Sequence, residues 1–122
     1  MPIRTVLVVD DSPTERYFLT DILRKNGYEV LTAESGEASL NIAKADMPDL
    51  IIMDVVMPGL NGFQATRMLH RDAATKDIPV IMCTTKGQET DRVWGLRQGA
   101  VDYLVKPVVA DELLSKIKGL GR

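Results

Sequence analysis

The sequence predicts an α/β fold, a doubly wound parallel sheet of five strands with five helices. Three observations carry that prediction. Short apolar, β-branched runs alternate five times with segments of helical period along the 122 residues. The connections between them are short, as βαβ units require. Four of the apolar runs stop abruptly at polar residues: Asp10 and Asp11, Asp54, Thr84 and Thr85, and Lys106.

Each element has its own signal. TVLVV (5–9) is a strand buried on both faces. Ser12, Pro13 and Glu15 then spell a helix start, with an N-cap, a proline in the first turn and a capping-box acid. That helix buries Phe18, Leu19, Ile22 and Leu23 and stops at Gly27. EVLTA (29–33) is the second strand, and a helix from Glu37 to Ala45 presents Ala38, Ile42 and Ala45. LIIMD (50–54) is the third strand, followed by the turn VVMPGLNG and a helix from about Phe63 to Asp72. PVIMCTT (79–85) is the fourth strand, with a helix from Glu89 to Gln98 closed by Gly99. DYLVKP (102–107) is the fifth, and a last helix from about Asp111 to Leu120 buries Leu113, Leu114, Ile117 and Leu120.

Composition narrows the class. Hydrophobic residues make up 45% and charged residues 26%, enough apolar material for a core. The expectation is one domain over residues 1–122 with no effector domain. Fifteen basic against 17 acidic residues, a formal charge of -2, offer no basic excess for nucleic acid or a lipid surface. No stretch reads as a membrane span or a cleavable leader, so a cytoplasmic protein is expected. The single Cys83 has no disulfide partner and no zinc-binding companions; it reads as a small buried apolar residue. Met53, Met57 and Met82 read as core filler.

The strand ends carry the chemistry. In a doubly wound sheet, functional groups gather beyond the carboxyl ends of the strands. With strand one between strands two and three, Asp10, Asp11 and Asp54 become neighbours. Three carboxylates in one pocket call for a hard divalent cation, and Mg²⁺ takes one or two carboxylates while keeping waters. Lys106 adds fixed positive charge and Thr84 a hydroxyl donor. Such a set suits phosphoryl transfer, with Asp54 as nucleophile and aspartyl phosphate as product. Singly, each residue has a plainer role: turn former, helix cap, solvated lysine or strand-end threonine. Their joint placement at four strand ends argues for the site.

VVDDSP, LIIMDVVMPGLNG, IMCTT and DYLVKP, in this order and spacing, resemble the receiver domain of bacterial two-component response regulators over nearly the whole chain. The resemblance implies the flavodoxin-like strand order 2-1-3-4-5. It also implies that Asp54 accepts phosphate from the phosphohistidine of a histidine kinase. Asp10, Asp11, Asp54 and the backbone carbonyl of Val56 would arrange Mg²⁺. Lys106 would contact the phosphoryl group, and its bond to Pro107 resembles the family's cis peptide. Thr84 would move toward the phosphoryl oxygens and a buried Tyr103 would follow. MPGLNGFQATR and TTKGQETDRVWGLRQGAVDYLVKPV further resemble the small regulators of twitching motility and phototaxis, implying a monomer that binds a downstream motility or signalling protein.

Thr85 stands where the family usually has a small residue, and its branched side chain is expected to narrow access to Asp54. The output face is expected on the fourth helix, fifth strand and fifth helix. Trp94 falls in that helix; with Val93, Leu96 and Ala100 against the sheet, it would lean to the flank as a half-buried cap or a partner contact. His70, the only histidine, reads as a surface residue. Three rivals differ. A haloacid-dehalogenase-like phosphohydrolase would place its nucleophile at strand one with a second acid two residues on, where Ser12 stands. A nucleotide or flavin carrier would need a phosphate cradle where DDSPT places negative charge. A phosphate sink for a shared kinase would use the same chemistry with no output partner.

Overall fold

The computed structural model describes residues 2–85 and 89–121, with only the backbone described for residues 89–91. Along the chain run β1 (Thr5–Val9), α1 (Pro13–Lys25), β2 (Glu29–Ala33), α2 (Gly36–Asp46) and β3 (Leu50–Asp54). They are followed by α3 (Gly62–Arg71), β4 (Val80–Thr84), α4 (Glu89–Arg97), β5 (Asp102–Val105) and α5 (Ala110–Leu120). All strand pairs are parallel and the order is β2-β1-β3-β4-β5, as expected.

Period-two side chains divide the core between the sheet's two faces. Leu7, Val9, Ile51 and Met53 face Ala43 of α2 and Ala65 and Leu69 of α3. Val6, Val8, Ile52 and Ile81 face Leu19 and Leu23 of α1 and Leu113 and Ile117 of α5. The central strands β1 and β3 are therefore apolar on both sides, and their ends are held in fixed register. Val9 pairs with Met53 and Asp54 with Cys83, so Asp10 follows β1 beside the last residue of β3.

Helix ends follow local chemistry. The Ser12 hydroxyl accepts from the Glu15 N–H at 3.3 Å, but the Ser12 N–H donates to Asp10 Oδ1 at 2.9 Å, so Asp10 takes the role expected of Glu15. At the other end of α1, the N–H groups of Gly27 and Tyr28 donate to the carbonyls of Arg24 and Leu23, closing the turn through Gly27 at φ 89°. α3 begins at Gly62, one residue before expectation, because Asn61 and Gln64 cap each other reciprocally, both at 2.9 Å.

Several expected faces are corrected. Phe18 is 42% exposed, whereas Leu19 and Leu23 are buried and Ile22 half-buried. On α2 the fully buried positions are Gly36, Ser39 and Ala43; Ala38 and Ile42 pack half-buried against the core, and Ala45 is exposed. β4 and β5 are shorter than expected; Lys106 N–H still donates to the Thr84 carbonyl at 2.7 Å, and Pro107 has no N–H with which to extend the ladder. Lys106–Pro107 is cis, as the resemblance implied. On α4, Val93 and Leu96 point outward, while Gly95 and Gln98 are buried. A Cβ on Gly95 would lie 3.3 Å from the Met82 side chain and 3.5 Å from Phe63, so the helix seats its smallest residue on the sheet. An apolar pattern alone picks out Val93 and Leu96 instead. On α5, Leu114 and Leu120 are half-buried.

Gly62 closes the loop that follows β3. Its N–H donates to the Val55 carbonyl at 2.9 Å, and a Cβ there would lie 2.1 Å from the Asp54 carbonyl oxygen. Gly62→Ala is expected to cost about 2–4 kcal/mol, because backbone rather than a flexible side chain must yield. Urea unfolding measures this directly, and a loss below about 0.5 kcal/mol, the ordinary range of surface changes, would show that the loop yields freely.

Candidate functional site

At the carboxyl edge of the sheet, three carboxylates from two adjacent strands converge. Asp54 ends β3 and Asp10 follows β1, both buried; Asp11 is exposed at the rim. One carboxylate oxygen from each lies within 4.8 Å of the others. Lys106 reaches in from the end of β5, with Nζ 2.7 Å from Asp10 Oδ2 and 3.0 Å from Asp54 Oδ1. Thr84, buried, ends β4 between them, and Thr85 beside it is exposed.

Backbone and side chain fix Asp10 closely. One of its carboxylate oxygens holds the Ser12 N–H and the other holds Lys106. Its carbonyl accepts from Arg16 Nη1 at 2.7 Å, and Arg16 Nη2 also lies 3.8 Å from Glu34. The sequence reading missed Arg16; its one signal was a cation one turn into a helix that starts beside two acids. Glu37 was also missed. Its carboxylate accepts from the Leu60 N–H at 3.4 Å, tying the loop after β3 to α2, where a Cβ on Gly36 would lie 2.6 Å from the Leu60 carbonyl oxygen.

Burial, then the charge of Asp10, pushes the Asp54 carboxyl up to about 6; the Lys106 hydrogen bond and charge oppose the rise, and Asp11 adds to it. Burial works against the Lys106 charge, but the hydrogen bonds to Asp10 and Asp54 prevail and raise its pKa above the usual lysine range. Burial likewise pushes the Cys83 thiol up to about 12, which leaves it an inert core residue.

The donor set fits a hard divalent cation. All three side-chain donors are carboxylate oxygens, and three carboxylates against one ammonium leave two negative charges uncompensated when every group is ionised. Val56, also expected to contribute through its carbonyl, lies on the loop two residues beyond Asp54 with its side chain exposed.

Thus Asp10, Asp11, Asp54 and Lys106 are brought together with Thr84 on the adjoining strand end. Tyr103 lies on β5, three residues before Lys106. It is half-buried rather than buried, and the Arg92 guanidinium carbon is 5.3 Å from its ring centre. The ring packs against the core on that side of the sheet, and Arg92, itself exposed, lies over it. Trp94, 45% exposed, meets Phe63 edge-on at 6.5 Å. His70 is half-buried, with Nδ1 3.2 Å from the Thr66 carbonyl oxygen.

The response regulator receiver domain family matches residues 6–118. Protein PilH of Pseudomonas aeruginosa is 58% identical over 115 residues, covering 94% of this chain and 95% of PilH. The phosphate regulon transcriptional regulatory protein PhoB of Escherichia coli is 40% identical over 98% of this chain, which spans only 52% of PhoB. Among solved structures, the chemotaxis protein CheY4 of Vibrio cholerae superposes with a TM-score of 0.90 at 34% identity, over 96% of this chain and 98% of that one. The receiver domain of the sensor histidine kinase PA1611 of Pseudomonas aeruginosa has a TM-score of 0.88 at 30% identity, over 95% of each chain, and holds a magnesium ion in its active-site cleft.

The raised Asp54 value sets a pH dependence. The folded state holds the Asp54 proton up to about pH 6, whereas the unfolded chain releases it near the ordinary carboxyl value of 3.8. Its contribution to stability is therefore full below about pH 4 and lost as pH rises through 6. Without divalent cations, Asp54→Asn should be more stable than the parent by about 1–2 kcal/mol at pH 8. That difference should vanish near pH 4, where the parent carboxyl is neutral as well. Thermal unfolding across this range checks it; a constant difference between the two proteins would assign the effect to packing.

Proposed function

This chain belongs to the response regulator receiver family, and we propose that Asp54 is its phosphoacceptor, with Lys106 and Thr84 as the groups that contact the transferred phosphoryl. Its place is in two-component signalling, receiving the group from a histidine kinase. The observation that carries the assignment is the burial of Asp54 beside Asp10 and Asp11 with the Lys106 ammonium 3.0 Å away.

An Asp54 oxygen forms the new bond to phosphorus as the bond from phosphorus to the kinase histidine breaks. The imidazole nitrogen keeps that electron pair and takes up a proton. Lys106, held by Asp10, is already directed at the carboxylate and needs little reorganisation to meet the phosphoryl oxygens. Asp10, Asp11 and Asp54, with the Val56 carbonyl, would hold Mg²⁺, which supplies charge neutralisation at those oxygens. Thr85, exposed next to Thr84, narrows the approach to Asp54. The chain catalyses only its own phosphorylation and the slow loss of the group.

Once phosphorylated, Asp54 carries about -1.5 to -2 of charge, and Lys106 and Thr84 are drawn toward it. Thr84 leads into α4 and Lys106 directly follows β5, the strand of Tyr103, so the response passes to the face of α4, β5 and α5. Val93, Trp94, Leu96, Val101, Val105 and Val109 are exposed in this part of the chain and suit a protein partner. The 58% identity to PilH and the resemblance in MPGLNGFQATR support a downstream partner in motility control.

With acetyl phosphate and Mg²⁺, intact-mass analysis should show one added phosphoryl group on the parent chain and none on Asp54→Asn. Lys106→Met should fold and slow the reaction by about a hundredfold or more. A phosphoryl group on Asp54→Asn, or a Lys106→Met rate equal to the parent's, would remove the assignment. Thr85→Ala should speed phosphorylation by the small donor; an unchanged rate would show that Thr85 does not guard the entrance.

A further inference from the structure

The end of the sheet opposite Asp54 carries a second constellation. α3 begins against the Asp54 carbonyl and its ten residues run roughly 15 Å away from it. There, between the C-terminal parts of α3 and α4, Arg67, His70, Arg71, Arg97 and Gln98 line an open cleft of about 440 Å³. Among the described residues no carboxylate lines it, although the chain as a whole has a formal charge of -2.

Complementing the helix dipoles explains only part of this. Cations in a last turn offset the partial negative charge of a helix end, which accounts for Arg71 on α3 and Arg97 on α4. Arg67 lies before the last turn of α3, and it stands four residues from Arg71, a like-charge spacing that costs about 0.2–0.5 kcal/mol. Among the described residues, no carboxylate pairs with Arg67, Arg71 or Arg97.

The cleft wall is built. Gln98 is only 7% exposed, and its Oε1 accepts from Arg67 Nε at 2.6 Å, which orients the guanidinium and leaves its Nη groups as donors. The His70 ring is set by its Nδ1–H on the Thr66 carbonyl, leaving Nε2 for the cleft. It lies against bare backbone at Gly99, where a Cβ would come within 2.7 Å of the ring. Three exposed guanidinium forks from two helices, one of them oriented by a buried amide, match the oxygens of linked phosphates better than a single monoanion.

We propose that this cleft binds an oligophosphate anion, an inorganic pyrophosphate or the phosphate chain of a nucleotide, on Arg67, Arg71 and Arg97. Bound there, the anion bridges α3 and α4 without involving the Asp54 site.

The test uses the full chain in EDTA and low salt, so that phosphate cannot enter the acidic site with a metal ion. Calorimetric titrations with pyrophosphate, ADP and hexaglutamate should show one site per chain for the phosphates. Asp54→Asn should bind them unchanged, and Arg71→Gln/Arg97→Gln should weaken both by about tenfold or more while still accepting phosphate at Asp54. ADP binding at least about tenfold tighter than pyrophosphate identifies a nucleotide, and comparable affinities identify the inorganic anion. No heat with either phosphate, equal affinity in the double variant, or hexaglutamate binding as tightly as pyrophosphate would overturn the proposal, the last in favour of an acidic protein segment.

Discussion

Two buried carboxylates, Asp10 and Asp54, share one ammonium, Lys106, at the carboxyl edge of the sheet, and a third acid, Asp11, stands at the rim. The rest of the molecule holds that arrangement in place. Charged groups resist burial, and three acids with one lysine stay negative as a set. The sheet imposes the geometry through β1 and β3, whose side chains are buried on both faces and whose register allows no slip. The conflict between what the core enforces and what the charges prefer is visible in the Asp54 carboxyl, pushed up to about 6. A divalent cation and a phosphoryl group are the ligands that such a site accommodates best.

The surroundings prepare the site to respond. Asp10 is held through both carboxylate oxygens and its carbonyl, by Ser12, Lys106 and Arg16, so it is a fixed point. Lys106, just after β5, and Thr84, the last residue of β4, by contrast stand where the chain leads into α5 and α4, and the Lys106 N–H on the Thr84 carbonyl couples the two strand ends. Charge added at Asp54 therefore pulls on one side of the sheet more than the other. Tyr103, half-buried under Arg92, lies on that same side.

The strands and the site were legible because both rest on strong local signals. Doubly buried strands are uninterrupted apolar runs, and acids that end such runs have few other reasons to be there. Helix faces were harder. α4 turns Gly95 and Gln98 inward rather than Val93 and Leu96, because the surface it meets, Met82 and Phe63, is shaped by distant parts of the chain. Phe18 and Ala45 fit a helical period yet lie outward for the same reason: the period gives a spacing, and packing chooses the phase. Gly62 and Arg16 act on backbone atoms of Asp54 and Asp10, contacts that no side-chain pattern displays. The cleft at Arg67, Arg71 and Arg97 joins two helices through the buried Gln98, so only the folded chain reveals it.

The central claim is that Asp10, Asp11 and Asp54 act together as one cation site. A Mg²⁺ titration of ¹⁵N-labelled chain at pH 7.5, followed by amide NMR shifts, tests it most directly. The account predicts one saturable site whose largest shifts fall on residues 10–12 and 54–56, and an affinity at least about tenfold weaker in Asp11→Asn. Shifts scattered over the acidic surface, or equal affinity in Asp11→Asn, would contradict it.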